Sequence, residues 1–185
     1  MKKITLGNKV VVSDPCYTIP TWCQIVVNDV LPGEYLSSVE MVDLDMWGTR
    51  SNTMVAIHKD YLDAKLRFSE YPGTVGVDSG QAGIFDFGSY RNDEVAEGIT
   101  TPSVDFNLGD KGEGEKWYEK MCKFTLSEQS WGVYDSGIVS SSGVGDGSYD
   151  LYIAKVDKKV VALAIDFGVA KKNLRFYKDL QYADI

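Results

Sequence analysis

Ser148-Tyr149-Asp150-Leu151-Tyr152-Ile153-Ala154-Lys155-Val156 is followed by Asp157-Lys158-Lys159 and then by the apolar run from Val160 to Val169. In the first arm Tyr149, Leu151 and Ile153 fall on one side, and Asp150, Tyr152 and Ala154 on the other. That period of two is the pleat of a half-buried strand. The charged triplet turns the chain and the second arm returns it. The stretch therefore predicts a β-hairpin, and with it an antiparallel sheet.

Working upstream, Trp131 to Ser140 carries strand residues, and Ser141-Ser142-Gly143-Val144-Gly145-Asp146-Gly147 is a loop of small residues. Gly114 to Leu126 is the helix candidate. Trp117, Met121 and Phe124 recur there at steps of four and three, with Tyr118 and Cys122 beside them and Asp110 ahead as a cap. Between Ser89 and Gly114 the composition shifts to Asn, Asp, Glu, Gly and Thr, which marks a long loop or insertion. Thr74 to Val77 and Ala82 to Phe87 are short strand-like runs around Asp78-Ser79-Gly80-Gln81.

Nearer the amino terminus, Lys9 to Ser13 is β-branched and stops at Asp14-Pro15, because proline biases the residue before it toward an extended conformation and ends the run. Gln24 to Val30 is a second such run, closed by Leu31-Pro32-Gly33. Glu34 to Trp47 alternates on both parities, which a bulge or a bend reconciles. Ser51-Asn52 reads as the turn to a partner strand over Thr53 to His58, and Asp60 to Phe68 as an irregular strand, or else a short helix with Tyr61, Leu62 and Leu66 near one face. Many short strands and one helix define a mainly β or α+β class: antiparallel sheets forming a sandwich or open barrel, with one main helix near 114–126. Asp-Ser-Gly occurs twice, at 78–80 and 135–137, each after a strand-like approach; chance in a Gly- and Ser-rich chain accounts for this more readily than duplication does.

The 185 residues suit one domain over 1–185, with 44% hydrophobic and 25% charged residues. That composition excludes a disordered regulator, a collagen-like fibre and a small disulfide scaffold. A net charge of −8 from 27 acidic and 19 basic residues opposes duplex nucleic acid and anionic lipid, both of which recruit Lys and Arg. No apolar run approaches the roughly 20 residues of a membrane-spanning helix, so the expectation is a cytoplasmic protein. Cys16, Cys23 and Cys122 are an odd set, which favours free thiols. Cys16 and Cys23 are too far apart for a zinc knuckle. The only histidine, His58, sits at a strand end.

Strong catalytic motifs are missing, and the glycines of 143–147 precede a strand, so the helix-terminus logic of dinucleotide binding fails. What stands out is a set of aspartates beside small residues: Asp14, Asp78, Asp86 and Asp146. Glycine lets a backbone approach a ligand closely, and it equally lets a chain turn tightly around an aspartate cap. Ser79 and Gln81 add hydroxyl and amide groups next to Asp78. Loop aromatics, Tyr17, Trp22 and Tyr149 among them, offer stacking faces, and a stacked ring contributes roughly 1–3 kcal/mol. A phosphorylated ligand needs a local cation, for which Arg50, Lys59 and Arg91 are the loop-borne candidates.

Three segments together resemble a known family. Val12-Ser13-Asp14-Pro15-Cys16-Tyr17, then Gly76-Val77-Asp78-Ser79-Gly80-Gln81-Ala82-Gly83 with Asp86, then Ser142 to Tyr152 leading into Ile165-Asp166-Phe167, are similar to the family of unknown function DUF4241. The opening segment also resembles related proteins of bacterial viruses. The chain departs from the commoner pattern at Ser79, often a small apolar residue, and at Val144, often an aromatic. The resemblance implies a mainly β fold and a bacterial or viral cytoplasmic setting, and it transfers no catalytic residue.

The leading functional expectation is a non-enzymatic protein that captures a small, nucleotide-like molecule, such as a phage-encoded sponge for a nucleotide-derived host immune signal. Asp14, Tyr17, Trp22, Arg50, Asp78, Ser79, Gln81, Asp86, Arg91, Asp146 and Tyr149 are its candidate binding residues. It calls for no cofactor, no resident metal and no catalytic residue, and leaves homo-oligomerisation open. The alternative is a metal-assisted hydrolase or phosphodiesterase with Asp14, Asp78 and Asp146 as ligands and His58 as acid or base. A third reading is an acidic, immunity-type module that binds a basic partner.

Overall fold

The structure, a computed structural model, describes residues 1–91 and 113–170. In chain order its strands are β1 (Lys2–Leu6), β2 (Lys9–Ser13), β3 (Ile25–Asn28), β4 (Gly33–Asp43), β5 (Thr49–His58), β6 (Phe68–Val77) and β7 (Gln81–Asp86). A helix, α1 (Glu113–Thr125), precedes β8 (Trp131–Tyr134), β9 (Gly137–Ser141), β10 (Gly147–Val156) and β11 (Lys159–Asp166). They form two antiparallel sheets that do not close into a barrel. One has six strands in the order β1-β4-β5-β11-β10-β6, the other five in the order β3-β2-β7-β9-β8.

The hairpin read from the sequence is β10–β11, with Val156 paired to Lys159. Asp157 and Lys158 form its two-residue turn at φ 48° and 67°, the mirror-image turn whose twist matches that of strands. Alternation along each strand supplies the core between the sheets. Leu151, Ile153, Leu163 and Ile165 from one sheet meet Val10, Val12, Ile84 and Ile138 from the other, all buried. Residues of the opposite parity, Val11, Phe85 and Val139, face outward on the five-stranded sheet. There Met121, Trp117 and Phe124 of α1 cover them, as the helical period requires. On the six-stranded sheet the outward set is Val55, Ile57, Ala162 and Ala164, packed with Leu66 and Phe68.

Isolated hydrogen bonds between the sheets bridge both flanks of the sandwich. On one, Gly76 N–H donates to Cys23 O at 2.9 Å, Tyr71 OH donates to Val26 O at 3.4 Å, and Pro72 lies within the edge strand β6. On the other, Thr5 N–H donates to Asp135 O at 2.7 Å.

Several expectations are corrected. Ser51 and Asn52 are not a turn but buried strand residues, 0% and 2% exposed. Their polarity is satisfied from a distance: Ser51 Oγ meets Ser141 Oγ at 3.1 Å, and Asn52 donates to Glu40 at 2.7 Å. The chain turns instead at a 3-10 segment, Asp45–Trp47, followed by Gly48 at φ 68°. Asp60 to Phe68 is not a strand. A 3-10 turn over Lys59–Tyr61, capped by the His58 ring, opens it, and only Phe68 joins β6. That strand begins six residues before the expected Thr74, because an edge position tolerates Pro72. The bulge expected in β4 falls between Glu40 and Met41. The two Asp-Ser-Gly triplets differ in role. Residues 78–80 carry the chain from one sheet to the other, whereas 135 and 136 turn a hairpin within one sheet. The expected loop at 89–114 and the Asp110 cap fall largely on residues 92–112, outside the described residues. Among the described residues no helix is long and apolar enough to cross a membrane.

Candidate functional site

The crossover at Asp78–Gly80 gathers segments far apart in the chain. Asp14, fully buried at the end of β2, accepts four hydrogen bonds. Oδ1 takes Cys16 N–H at 2.8 Å and the Ser79 hydroxyl at 2.6 Å. Oδ2 takes the N–H groups of Asp78 at 2.9 Å and Ser79 at 2.7 Å. A carboxylate offers about four acceptor positions, so all of Asp14's are engaged in holding the β2–β3 loop to the crossover. Gly80, at φ 67°, is then held from the other side. Its N–H donates to Asp146 Oδ1 at 2.9 Å and its carbonyl accepts from Ser142 N–H at 2.9 Å. The stretches 14–17, 78–81 and 142–149 therefore meet at one corner of the sandwich.

Around this corner the other side chains serve mostly as braces. Tyr17 OH donates to Asp78 Oδ2. Burial first, and then that bond to an anion, push the Tyr17 phenol well above its ordinary value. Gln81 accepts from the Thr125 hydroxyl at 2.8 Å and points its amide at Ser79 Oγ, Tyr118 OH and Cys122 Sγ, seating α1 on the corner. Arg91 donates to the carbonyls of Cys16 at 2.7 Å and Pro15 at 3.3 Å. Buried Tyr90 donates to Tyr17 O at 2.7 Å. The Tyr149 ring lies inside the sandwich against Phe167, with its hydroxyl reaching Ser142 O at 3.1 Å. Burial, and then the Asp14 carboxylate, push the Cys16 thiol far up, so it stays protonated and weakly nucleophilic.

Arg50, at the start of β5, stands apart from these braces. It lines a hollow of about 250 Å³ with Thr49, Ser130, Ser141, Ser142 and the Gly143-Val144-Gly145 loop. Gly143 and Gly145 adopt φ 49° and 121°, so the loop wraps the hollow in a conformation that favours glycine. Trp22, 95% exposed, borders a different hollow of about 380 Å³ on the β3–β6 flank, with Tyr71, Pro72 and Gly73. Asp86 is not at the corner. It caps Gly7 N–H at 2.7 Å and Gly88 N–H at 3.1 Å at the far end of β7, beside a shallow hollow of about 530 Å³.

His58 also lies away. Eight residues of strand separate it from Arg50, about 26 Å at the usual rise. Its ring is buried between Tyr35 and Tyr61, with Nδ1 accepting from Asp60 N–H. Among the described residues no three His, Cys, Asp or Glu side chains converge to hold a metal ion. Sequence reasoning missed Ser130 and Thr49, which carry no motif, and Tyr118 and Thr125. The last two lie along the helical face that Trp117 and Met121 announce.

Comparison with family models, with curated proteins and with solved structures finds no match to this chain.

Proposed function

We propose that this chain binds a small anionic, nucleotide-like molecule without transforming it, and that the Arg50 hollow takes the ligand's negatively charged group. The observation that carries the reading is the partly buried residue Arg50, whose Nη1 donates to the Thr49 carbonyl at 3.2 Å, in a hollow otherwise walled by serine, threonine, glycine and Val144. Small residues leave room for a ligand, hydroxyls supply hydrogen bonds, and a single guanidinium suits a phosphate. The volume near 250 Å³ accommodates a phosphate with part of its sugar, while the rest of the ligand extends past exposed Val144.

Support for binding without turnover comes from the separation of reactive groups. His58 is at the other end of β5, the acceptor positions of Asp14 are taken, and Cys16 is held as a thiol. These placements disfavour the metal-assisted hydrolase with Asp14, Asp78, Asp146 and His58. A protein of this kind encoded by a bacterial virus would act by sequestering a nucleotide-derived immune signal. Calorimetric titration against cyclic dinucleotides and cyclic ADP-ribose isomers is the test, followed by recovery of the ligand. The expected result is binding to at least one, return of the compound intact, and a loss of about tenfold or more in affinity for Arg50→Ala, the usual scale for one charge-assisted contact. No heat with any compound, or equal affinity in the variant, would overturn the reading.

A further inference from the structure

The hollow of about 380 Å³ between the edge strands β3 and β6 is shaped by two local devices. The first lies in β6. Thr74 pairs with Asp150 and Glu70 with Tyr152, so Tyr71, Pro72 and Gly73 together stand opposite Leu151 alone. Two extra residues bulge the edge strand, and bulges re-aim side chains beside binding sites. Gly73 turns the bulge at φ 96°, a conformation that favours glycine. A Cβ there would meet nothing within 4 Å, so backbone shape and not crowding selects the glycine. Three positions on, a Cβ at Gly76 would lie 2.6 Å from Cys23 Cβ. That close approach seats the loop carrying Trp22 against the strand.

The second device is the turn from Thr21 to Gln24. Gln24 N–H donates to Thr21 O at 3.1 Å, Thr21 N–H to Gln24 Oε1 at 2.9 Å, and the Thr21 hydroxyl to Thr18 O at 2.6 Å. Of the two central residues Cys23 is buried and Trp22 is 95% exposed. The backbone thus fixes a large ring at the lip of the hollow with its faces open to water. Rings held in this way carry much of the energy of binding surfaces.

The lining also restricts what can bind. Among the described residues no charged side chain lines this hollow, in a chain of which 25% is charged. An anion finds no cation there, and a cation finds no carboxylate. Val75 and Tyr149 point into the core, so their neighbours Thr74 and Ser148, which line the hollow, share the opposite face. Among the described residues their hydroxyls have no partner. An open aromatic face beside free, uncharged hydroxyls complements a molecule with one apolar C–H face and a rim of neutral hydroxyls. We propose that the β3–β6 hollow binds a neutral saccharide, a pyranose ring stacking on Trp22 while its hydroxyls bond to Thr74 and Ser148. The volume falls in the range of roughly 300–1,000 Å³ usual for small-molecule sites. No lining residue is shared with the Arg50 hollow, so this site stands apart from the anion-binding reading.

Saturation-transfer difference NMR of the full chain tests this, with cellobiose, lactose, maltose, mannobiose and N,N′-diacetylchitobiose as probes at millimolar concentration. The expected result is transfer to the ring C–H protons of at least one of these sugars. Trp22→Ala weakens that binding by about 5- to 150-fold, the scale of one stacked ring, and Trp22→Tyr, which keeps an aromatic face, restores most of it. Thr74→Val with Ser148→Ala weakens it several-fold. Because Trp22 is exposed, its replacement leaves the urea midpoint unchanged, which separates loss of the site from loss of the fold. Arg50→Ala leaves sugar binding unchanged, so this proposal and the anion-binding reading fail separately. No transfer to any of the sugars, or equal transfer in Trp22→Ala, would overturn the proposal. So would a decaproline peptide that binds through Trp22 while every sugar fails, since the occupant would then be a polyproline helix.

Discussion

Replacing Asp14 by alanine removes the group that makes most of the bonds between the β2–β3 loop and the crossover between sheets. Four donors lose their acceptor together: the N–H groups of Cys16, Asp78 and Ser79, and the Ser79 hydroxyl. An orphaned buried donor costs about 1–3 kcal/mol, but the hydroxyl rotates away and water reaches part of the corner. The expected loss is therefore about 3–5 kcal/mol, a large fraction of the stability of a domain this size. Asparagine separates bond count from charge. Its amide, turned with the carbonyl toward Asp78 and Ser79, keeps those two bonds and offers its NH₂ to Ser79 Oγ, so only Cys16 N–H is left unpaired. Asp14→Asn should cost about 1–3 kcal/mol. Asp146→Ala loses a single exposed bond to Gly80 and should cost less than about 1 kcal/mol. Urea unfolding at pH 7, followed through the four tryptophans, gives all three midpoints. If Asp14→Ala shifts the midpoint no more than Asp146→Ala at unchanged slope, the reasoning is wrong.

Three further outcomes are expected from single features. Lys158→Gly relieves a side chain held at φ 67° in the β10–β11 turn, and should raise the unfolding midpoint by about 0.5–1 kcal/mol; a lower midpoint would contradict the turn assignment. Gly83→Ala places a methyl carbon 2.2 Å from Phe85 Cζ and 2.5 Å from Ile138 O. Overpacking of that kind costs about 1–3 kcal/mol, which thermal unfolding reads directly. Cys16, whose thiol burial and Asp14 hold in the protonated form, should react with iodoacetamide more slowly than free cysteine at pH 8.5. Because the thiolate is the reactive species, its labelling rate should still be climbing above pH 9; a plateau below that pH would remove the assigned environment.

Legibility followed the range over which each signal acts. The β10–β11 hairpin, the end of β2 at Asp14-Pro15 and the buried face of α1 are all written in neighbouring residues, where period and turn chemistry suffice. Ser51 and Asn52 misled because polar residues usually mark turns, and their partners, Ser141 and Ala170, are 90 and 118 positions away. The aspartates beside small residues were recognisable as special, but their task was not. Asp14 reaches residues 64 and 65 positions on, and no local pattern says whether a carboxylate will meet a ligand or a backbone N–H. Arg50 was legible as a cation near a loop; the serines that surround it were not.

The bridged flanks carry a consequence for how copies of this protein meet at high concentration. An open sandwich invites end-to-end growth, one molecule's outer strand templating the next, and slow conversion to fibrils. Pro72 has no N–H to lend to a neighbour, and the Tyr71 hydroxyl already occupies a carbonyl of the adjoining rim. With those contact points withdrawn, the β6 rim offers a second molecule fewer places to add a strand, and concentrated protein should stay free of fibrils.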